Sequence, residues 1–240
     1  MEKWLIVITW ASSGIWEATA KLFSEAWYPT LLLARRIEKL KSLNLKNSIS
    51  EKTDVTDIQQ LKNSIRKAEE KFWKTQCIIN NAWMMLLWDI TDQNPEEWKK
   101  MFDVNILGVL NGMQAVLPSM KKRKSWTIIN ISSIAGRKTF PNHAAYCWTK
   151  FGVHAITENV REEAAKDNIR MVTIAPGAVE TELLSHTTSV EIKNWYEAWK
   201  KNMWNILYPK DIANAIWYAF NQPEWVNVRE IVIAATRQEP

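Results

Sequence analysis

A chain of 240 residues with 47% hydrophobic and 24% charged side chains can bury a sizeable core, which excludes the disordered and fibrous classes. Its net charge of +5 and pI near 9.1 raise nucleic-acid binding, but the densest basic run, Lys121-Lys122-Arg123-Lys124, falls between a helical pattern and a strand and reads as a solvated helix end. No nucleic-acid partner is expected, and the charge suits a phosphorylated cofactor instead.

The first apolar run, 4–9, is too short to span a bilayer and is not followed by a small-residue cleavage site, so it reads as the first strand of a cytoplasmic protein with no membrane partner. Further strands are expected at 30–34, 50–54, 76–80, 127–131, 170–175 and 230–233. Helical patterns lie between them at 15–26, 36–43, 58–72, 95–120, 144–166 and 209–221. This alternation predicts an α/β fold in a single domain over 1–240, a Rossmann-type doubly wound parallel sheet of seven strands with helices on both faces. Ligands of such sheets sit beyond the carboxyl ends of the strands. The segment 180–207 has weak periodicity and many Ser, Thr and Asn residues; it is either a substrate lid or a plain surface excursion. Cys77 and Cys147 have no metal-like spacing and read as reduced, buried thiols, and no metal site is expected.

On the helix from 144, Tyr146 and Lys150 lie four residues apart on one face. A cation beside a phenol lowers its pKa toward neutrality and makes a plausible acid/base unit. Ser133 follows the strand 127–131, where a hydroxyl could hold a substrate oxygen beside the phenol, and Asn105 could anchor a proton-relaying water near Lys150. Each could equally be an ordinary turn or helix polar residue. After the second strand, Leu33-Ala34-Arg35-Arg36 offers two guanidiniums and no carboxylate, which favours a 2′-phosphate over free ribose hydroxyls.

Taken together, Thr9-Trp10-Ala11-Ser12-Ser13-Gly14-Ile15-Trp16, Asp54-Val55, Asn80-Asn81-Ala82-Trp83, Asn105, Ser133, Tyr146 with Lys150, and Pro176-Gly177 followed by Thr181 resemble the short-chain dehydrogenase/reductase family along essentially the whole chain. The resemblance implies an NADP(H)-dependent oxidoreductase acting on a small-molecule alcohol or carbonyl, with Tyr146 as general acid/base, Ser133 orienting the substrate, Lys150 tuning the phenol and Asn105 supporting the relay. It implies cofactor contacts from Thr9, Ser12, Ser13, Gly14 and Ile15 in the phosphate loop and from Arg35 and Arg36 after the second strand. Asp54 and Val55 would serve the adenine, Asn81 and Ala82 the middle of the groove, and Tyr146, Lys150, Pro176, Gly177, Val179 and Thr181 the nicotinamide end. The run from Tyr208 and the tail from Gln222 look similar to a branch with NADP-dependent 3-hydroxy acid (serine-type) dehydrogenases. Family members commonly form dimers or tetramers, so a homodimer or homotetramer is the expectation.

The chain departs from that family in one respect. It has 15 Trp and only 6 Gly, and Trp10, Trp16 and Trp83 stand where the family has glycine. Glycine serves such loops because positive φ and close backbone approach to pyrophosphate exclude a Cβ. Trp10 or Trp16 should therefore fill the phosphate site or push the helix off the strand. Trp27, Trp73 and Trp126 also fall where turn glycines are expected. The alternative function is a catalytically silent dinucleotide-fold protein that binds or regulates.

Overall fold

Parallel strands need both faces covered, and the aliphatic runs supply two. The strands are β1 (Leu5–Thr9), β2 (Thr30–Ala34), β3 (Ser48–Lys52), β4 (Thr75–Asn80), β5 (Trp126–Ile131), β6 (Ile169–Pro176) and β7 (Glu230–Ile233). They form one seven-stranded sheet in the order β3-β2-β1-β4-β5-β6-β7, every pairing parallel. The computed structural model describes residues 4–10, 14–181, 184, 187–203 and 205–238.

Successive side chains of a strand point to opposite faces. Leu5 and Val7 accordingly pack on one side with α3 (Ile58–Lys71), α5 (Gly108–Arg123) and α6 (Ala144–Ala164). Ile6 and Ile8 pack on the other with α1 (Ile15–Glu25), α2 (Ile37–Lys41) and α8 (Pro209–Phe220). Strand order reverses between β1 and β4, which opens a crevice at their carboxyl ends. A buried ladder crosses the sheet beneath it: Asn80 Nδ2 donates to Asn130 Oδ1 at 2.9 Å, and Asn130 Nδ2 to Thr157 Oγ1 at 2.9 Å. Gly112 lets α5 close on this ladder, since a Cβ there would run into the Asn80 carboxamide.

The single helix expected over 95–120 is two. Helix α4 (Pro95–Phe102) starts from Asn94, whose side chain accepts from Glu96 N–H, with Pro95 in the first turn. A π-helical turn, Asp103–Leu107, separates it from α5, with the Gly108 N–H reaching back to the Asp103 carbonyl. Such a turn inserts one residue into the helical count and re-aims the side chain at its centre; here that residue is Asn105. The basic run closes α5, where Arg123 donates to the Thr75 carbonyl at 2.9 Å and Lys124 takes the left-handed cap at φ 53°. No helix of the described residues is long and apolar enough to cross a membrane.

The segment 180–207 contains α7 (Val190–Asn202), capped by Ser189, whose hydroxyl accepts from Ile192 N–H at 3.3 Å. Its base is clasped, because Glu180 N–H donates to the Leu207 carbonyl at 2.8 Å and Leu207 N–H to the Ala178 carbonyl at 3.1 Å.

Three tryptophans have left-handed backbone: Trp10 (φ 59°), Trp27 (φ 63°) and Trp126 (φ 146°). A bulky residue there costs about 1–3 kcal/mol. Four of the other five non-glycine residues described with positive φ are asparagines, the type that tolerates it. Trp16 behaves differently from expectation. Its indole is buried between α1 and the sheet, and α1 keeps its place against β1, because the apolar layer around Phe23 and Ile212 accepts the ring.

Candidate active site

Four loops meet at the crevice: those after β1, β4, β5 and β6. On the β5 side, Ser133 opens a short 3-10 turn and its hydroxyl accepts from Ala135 N–H at 3.1 Å. Across the crevice, the first turns of α6 present Tyr146 and Lys150, both almost fully buried. Ser133 and Tyr146 hydrogen-bond each other. Lys150 Nζ donates to the Ile131 carbonyl at 3.1 Å and lies 5.7 Å from the centre of the Tyr146 ring. Burial drives the Tyr146 phenol above its ordinary value, and the Ser133 hydrogen bond opposes that shift. Burial pulls Lys150 down to about 7.

Asn105 has a different surrounding from the one expected for a relay residue. Its Oδ1 accepts from Met84 N–H at 2.8 Å, while Nδ2 donates to the Met84 carbonyl at 3.0 Å and to Thr149 Oγ1 at 3.0 Å. Thr149 Oγ1 donates in turn to the Tyr146 carbonyl at 2.8 Å. The carboxamide therefore clamps the loop after β4 against the helix that carries Tyr146.

The expected cofactor residues separate into three groups. Ile15, Pro176, Gly177, Val179 and Thr181 line the cavity that holds Ser133 and Tyr146. Gly14, at φ 62°, caps α1 and approaches Thr181 so closely that a Cβ would touch its methyl group at 3.0 Å. Arg35, Arg36, Asp54 and Val55 line a second cavity of about 170 Å³ on the β2–β3 side, with Trp10 in its wall. Asp54 Oδ1 accepts from Thr56 N–H and Oγ1, at 3.0 and 2.8 Å, which fixes that turn. Thr9 is buried, and its hydroxyl accepts from Asn81 and Ala82 N–H at 2.8 and 3.2 Å. It staples the end of β1 to the loop after β4. Ser12 and Ser13 lie outside the described residues.

The cavity around Tyr146 measures about 280 Å³ and includes residues that sequence reasoning missed. Lys138, Phe140 and His143 come from the stretch between β5 and α6, Tyr196 and Lys200 from α7, and Gln238 from the tail. Gln238 Oε1 accepts from Ala178 N–H at 2.9 Å. None of these belongs to a recurring motif. A helical spacing of 196 and 200 was the one signal available, on a segment whose periodicity is weak.

These loops, a phenol–hydroxyl–ammonium set at one end and two arginines at the other, match known proteins along the whole chain. Residues 4–191 match the model of the short chain dehydrogenase family. The chain belongs to the short-chain dehydrogenase/reductase family. Among curated members, an uncharacterized oxidoreductase of Staphylococcus saprophyticus is 42% identical over 98% of this chain and 96% of its own. One from Listeria monocytogenes is 41% identical over 98% and 97%. Among solved structures, the closed form of serine dehydrogenase complexed with NADP+ superposes with a TM-score of 0.90 at 25% identity, covering 98% of this chain and 96% of that one. ElxO with NADP bound gives 0.86 at 28%, covering 97% of each.

A nicotinamide dinucleotide, the cofactor of those neighbours, fits this chain at two ends and meets an obstacle between them. In the middle of the groove both amide atoms of Asn81 are buried with no hydrogen-bond partner among the described residues, as a polar ligand there requires. Trp10 is the obstacle. Its left-handed backbone places a half-buried indole beside the second cavity with the Arg35 guanidinium 5.4 Å from the ring centre. Trp83 likewise projects into the first cavity, 5.0 Å from Lys150 Nζ and 6.3 Å from the Tyr146 ring.

Proposed function

We propose that this oxidoreductase interconverts a secondary alcohol carrying a carboxylate, such as a small 3-hydroxy acid, with its carbonyl compound, using NADP(H). The observation that carries the reading is the convergence of Tyr146 and Ser133, with Lys150 behind the phenol, on one cavity whose charged lining residues, among those described, are Lys138 and Lys200 with no carboxylate. NADP(H) when bound supplies or accepts the hydride.

The chain's own residues supply the rest. Ser133 holds the substrate oxygen against the phenol. Tyr146 gives that oxygen a proton in reduction and takes it in oxidation. Lys150, when charged, stabilises the phenolate that remains, and Asn105 acts through positioning by holding Met84 and Thr149 around this set. His143 packs edge-on against Tyr146 at 6.2 Å and keeps water from that side. Lys138 and Lys200 give the cavity its positive charge and attract the carboxylate, Lys200 being held in place by Glu197 at 2.9 Å and Glu180 at 3.6 Å. Arg35 and Arg36 favour the 2′-phosphate, and Asp54 and Val55 flank the adenine. Segment 180–207 is the lid, because α7 carries Tyr196 and Lys200 onto the cavity. A homodimer or homotetramer is the proposed assembly, on the family's habit.

The test is NADPH oxidation against a panel of aldehydes, ketones and keto acids. Preference for keto acids supports the reading; equal turnover of neutral ketones of the same size removes the carboxylate from it.

A further inference from the structure

Trp10, Trp27 and Trp126 share a backbone that tryptophan does not choose. Their φ angles of 59°, 63° and 146° lie in the region that a Cβ disfavours and glycine enters freely. They differ in position and exposure, although a cation lies over each ring: Arg35 at 5.4 Å, Lys46 at 5.6 Å and Arg123 at 4.9 Å. Trp10 follows β1 in the wall of the second cavity, Trp27 lies exposed in the turn between α1 and β2, and Trp126 opens β5. A cation over a ring asks nothing of the backbone, so that shared contact does not account for three indoles at positive φ in such different places.

Composition points the same way. At the usual glycine share of about 7%, a chain of this length holds roughly 17 glycines. This one has 6, and its 15 tryptophans are in excess by a similar margin. Trp98 shows what a fitting tryptophan looks like, half-buried on α4 with its indole N–H donating to Gln93 Oε1 at 2.8 Å.

We infer that positions 10, 27 and 126 are glycine sites, and that the protein made in its native host carries glycine there through a codon read as tryptophan in one genetic code and glycine in another. This rests on the dinucleotide reading only at position 10, where removing the indole opens the groove between the Arg35 cavity and Gly14. At positions 27 and 126 it rests on backbone conformation and composition, with no appeal to the cofactor.

The test has two arms. First, the chain as written is compared with the Trp10→Gly/Trp27→Gly/Trp126→Gly variant by thermal unfolding and by NADPH fluorescence titration, with Trp98→Gly as the opposite control. The triple variant is expected to melt at least about 5 °C higher and to bind NADPH at least tenfold more tightly, while Trp98→Gly melts lower. A triple variant no more stable than its parent overturns the inference. A more stable variant that still ignores NADPH upholds the glycine sites and overturns the cofactor reading instead. Second, peptides of the protein purified from its native host are weighed. Glycine masses at 10, 27 and 126 uphold the inference, and tryptophan masses overturn it.

Discussion

Asn105→Ala separates two roles for one side chain. The substitution leaves the Met84 N–H and carbonyl without their partners at 2.8 and 3.0 Å and removes the donor to Thr149. Each partly buried backbone group left unpaired costs about 1–3 kcal/mol, so the expected loss for the two is about 2–6 kcal/mol, from a total stability on the order of 5–15 kcal/mol. Asn105→Asp keeps an acceptor for the Met84 N–H but sets a carboxylate against the Met84 carbonyl, so it is expected to fall on the same side. Equilibrium urea unfolding reads both losses, with an unchanged denaturant slope if the unfolded state is unaffected. A loss under about 1 kcal/mol, below the range for even one unpaired group, together with a large fall in turnover, refutes the clamp and returns Asn105 to the proton relay.

The remaining predictions use the triple glycine background where they need bound cofactor. Tyr146→Phe lowers kcat by about 10²–10⁴-fold with NADPH affinity nearly unchanged; equal turnover removes the phenol from the chemistry. Lys150→Met tests burial through pH. Because burial holds Lys150 at about 7 in the folded chain, well below the ordinary lysine value, the unfolded chain binds more protons between those two values. Parent stability therefore rises with pH across that window, and the cost of the buried charge is fully present below about 7. The melting temperature of Lys150→Met relative to the parent should fall as pH is raised through the window, and a constant difference contradicts the assignment. Arg35→Asp puts a carboxylate where a 2′-phosphate would sit and should cut the NADPH over NADH preference by at least tenfold on the order of one charged hydrogen bond, read by titration with both cofactors. Lys138→Ala should raise KM for keto acids while leaving neutral ketones unchanged in parallel steady-state assays.

The inner strands were legible because they are buried on both faces and therefore appear as unbroken aliphatic runs, as at Leu31 to Leu33, whereas the edge strands β3 and β7 are only half-buried. The break at Asp103–Leu107 was not, since a π turn has no composition of its own and the apolar period continues through it. In the site, Ser133, Tyr146 and Lys150 could be found because each stands at a fixed offset from a strand end or helix start. The bond from Thr9 to the loop after β4 was not legible, because a hydroxyl at a strand end serves a ligand or a neighbouring backbone equally well and only the third dimension shows the backbone partner. Lys138, Tyr196 and Gln238 come from three separate stretches, so their meeting depends on how long excursions fold back. Trp16 shows the limit of steric reasoning from a motif, because an indole judged too large for a loop found room in the layer beneath it.

The clasp at Glu180 and Leu207 makes the segment proposed as a lid a cassette. Because its two ends are already held together by backbone hydrogen bonds, the span between them can change length or composition at little further entropic cost to the sheet. A chimera carrying another family member's segment between those two residues should keep the chemistry of Tyr146 while taking on the donor's choice of substrate. Selectivity in this scaffold can thus diversify without disturbing the groove proposed for the cofactor.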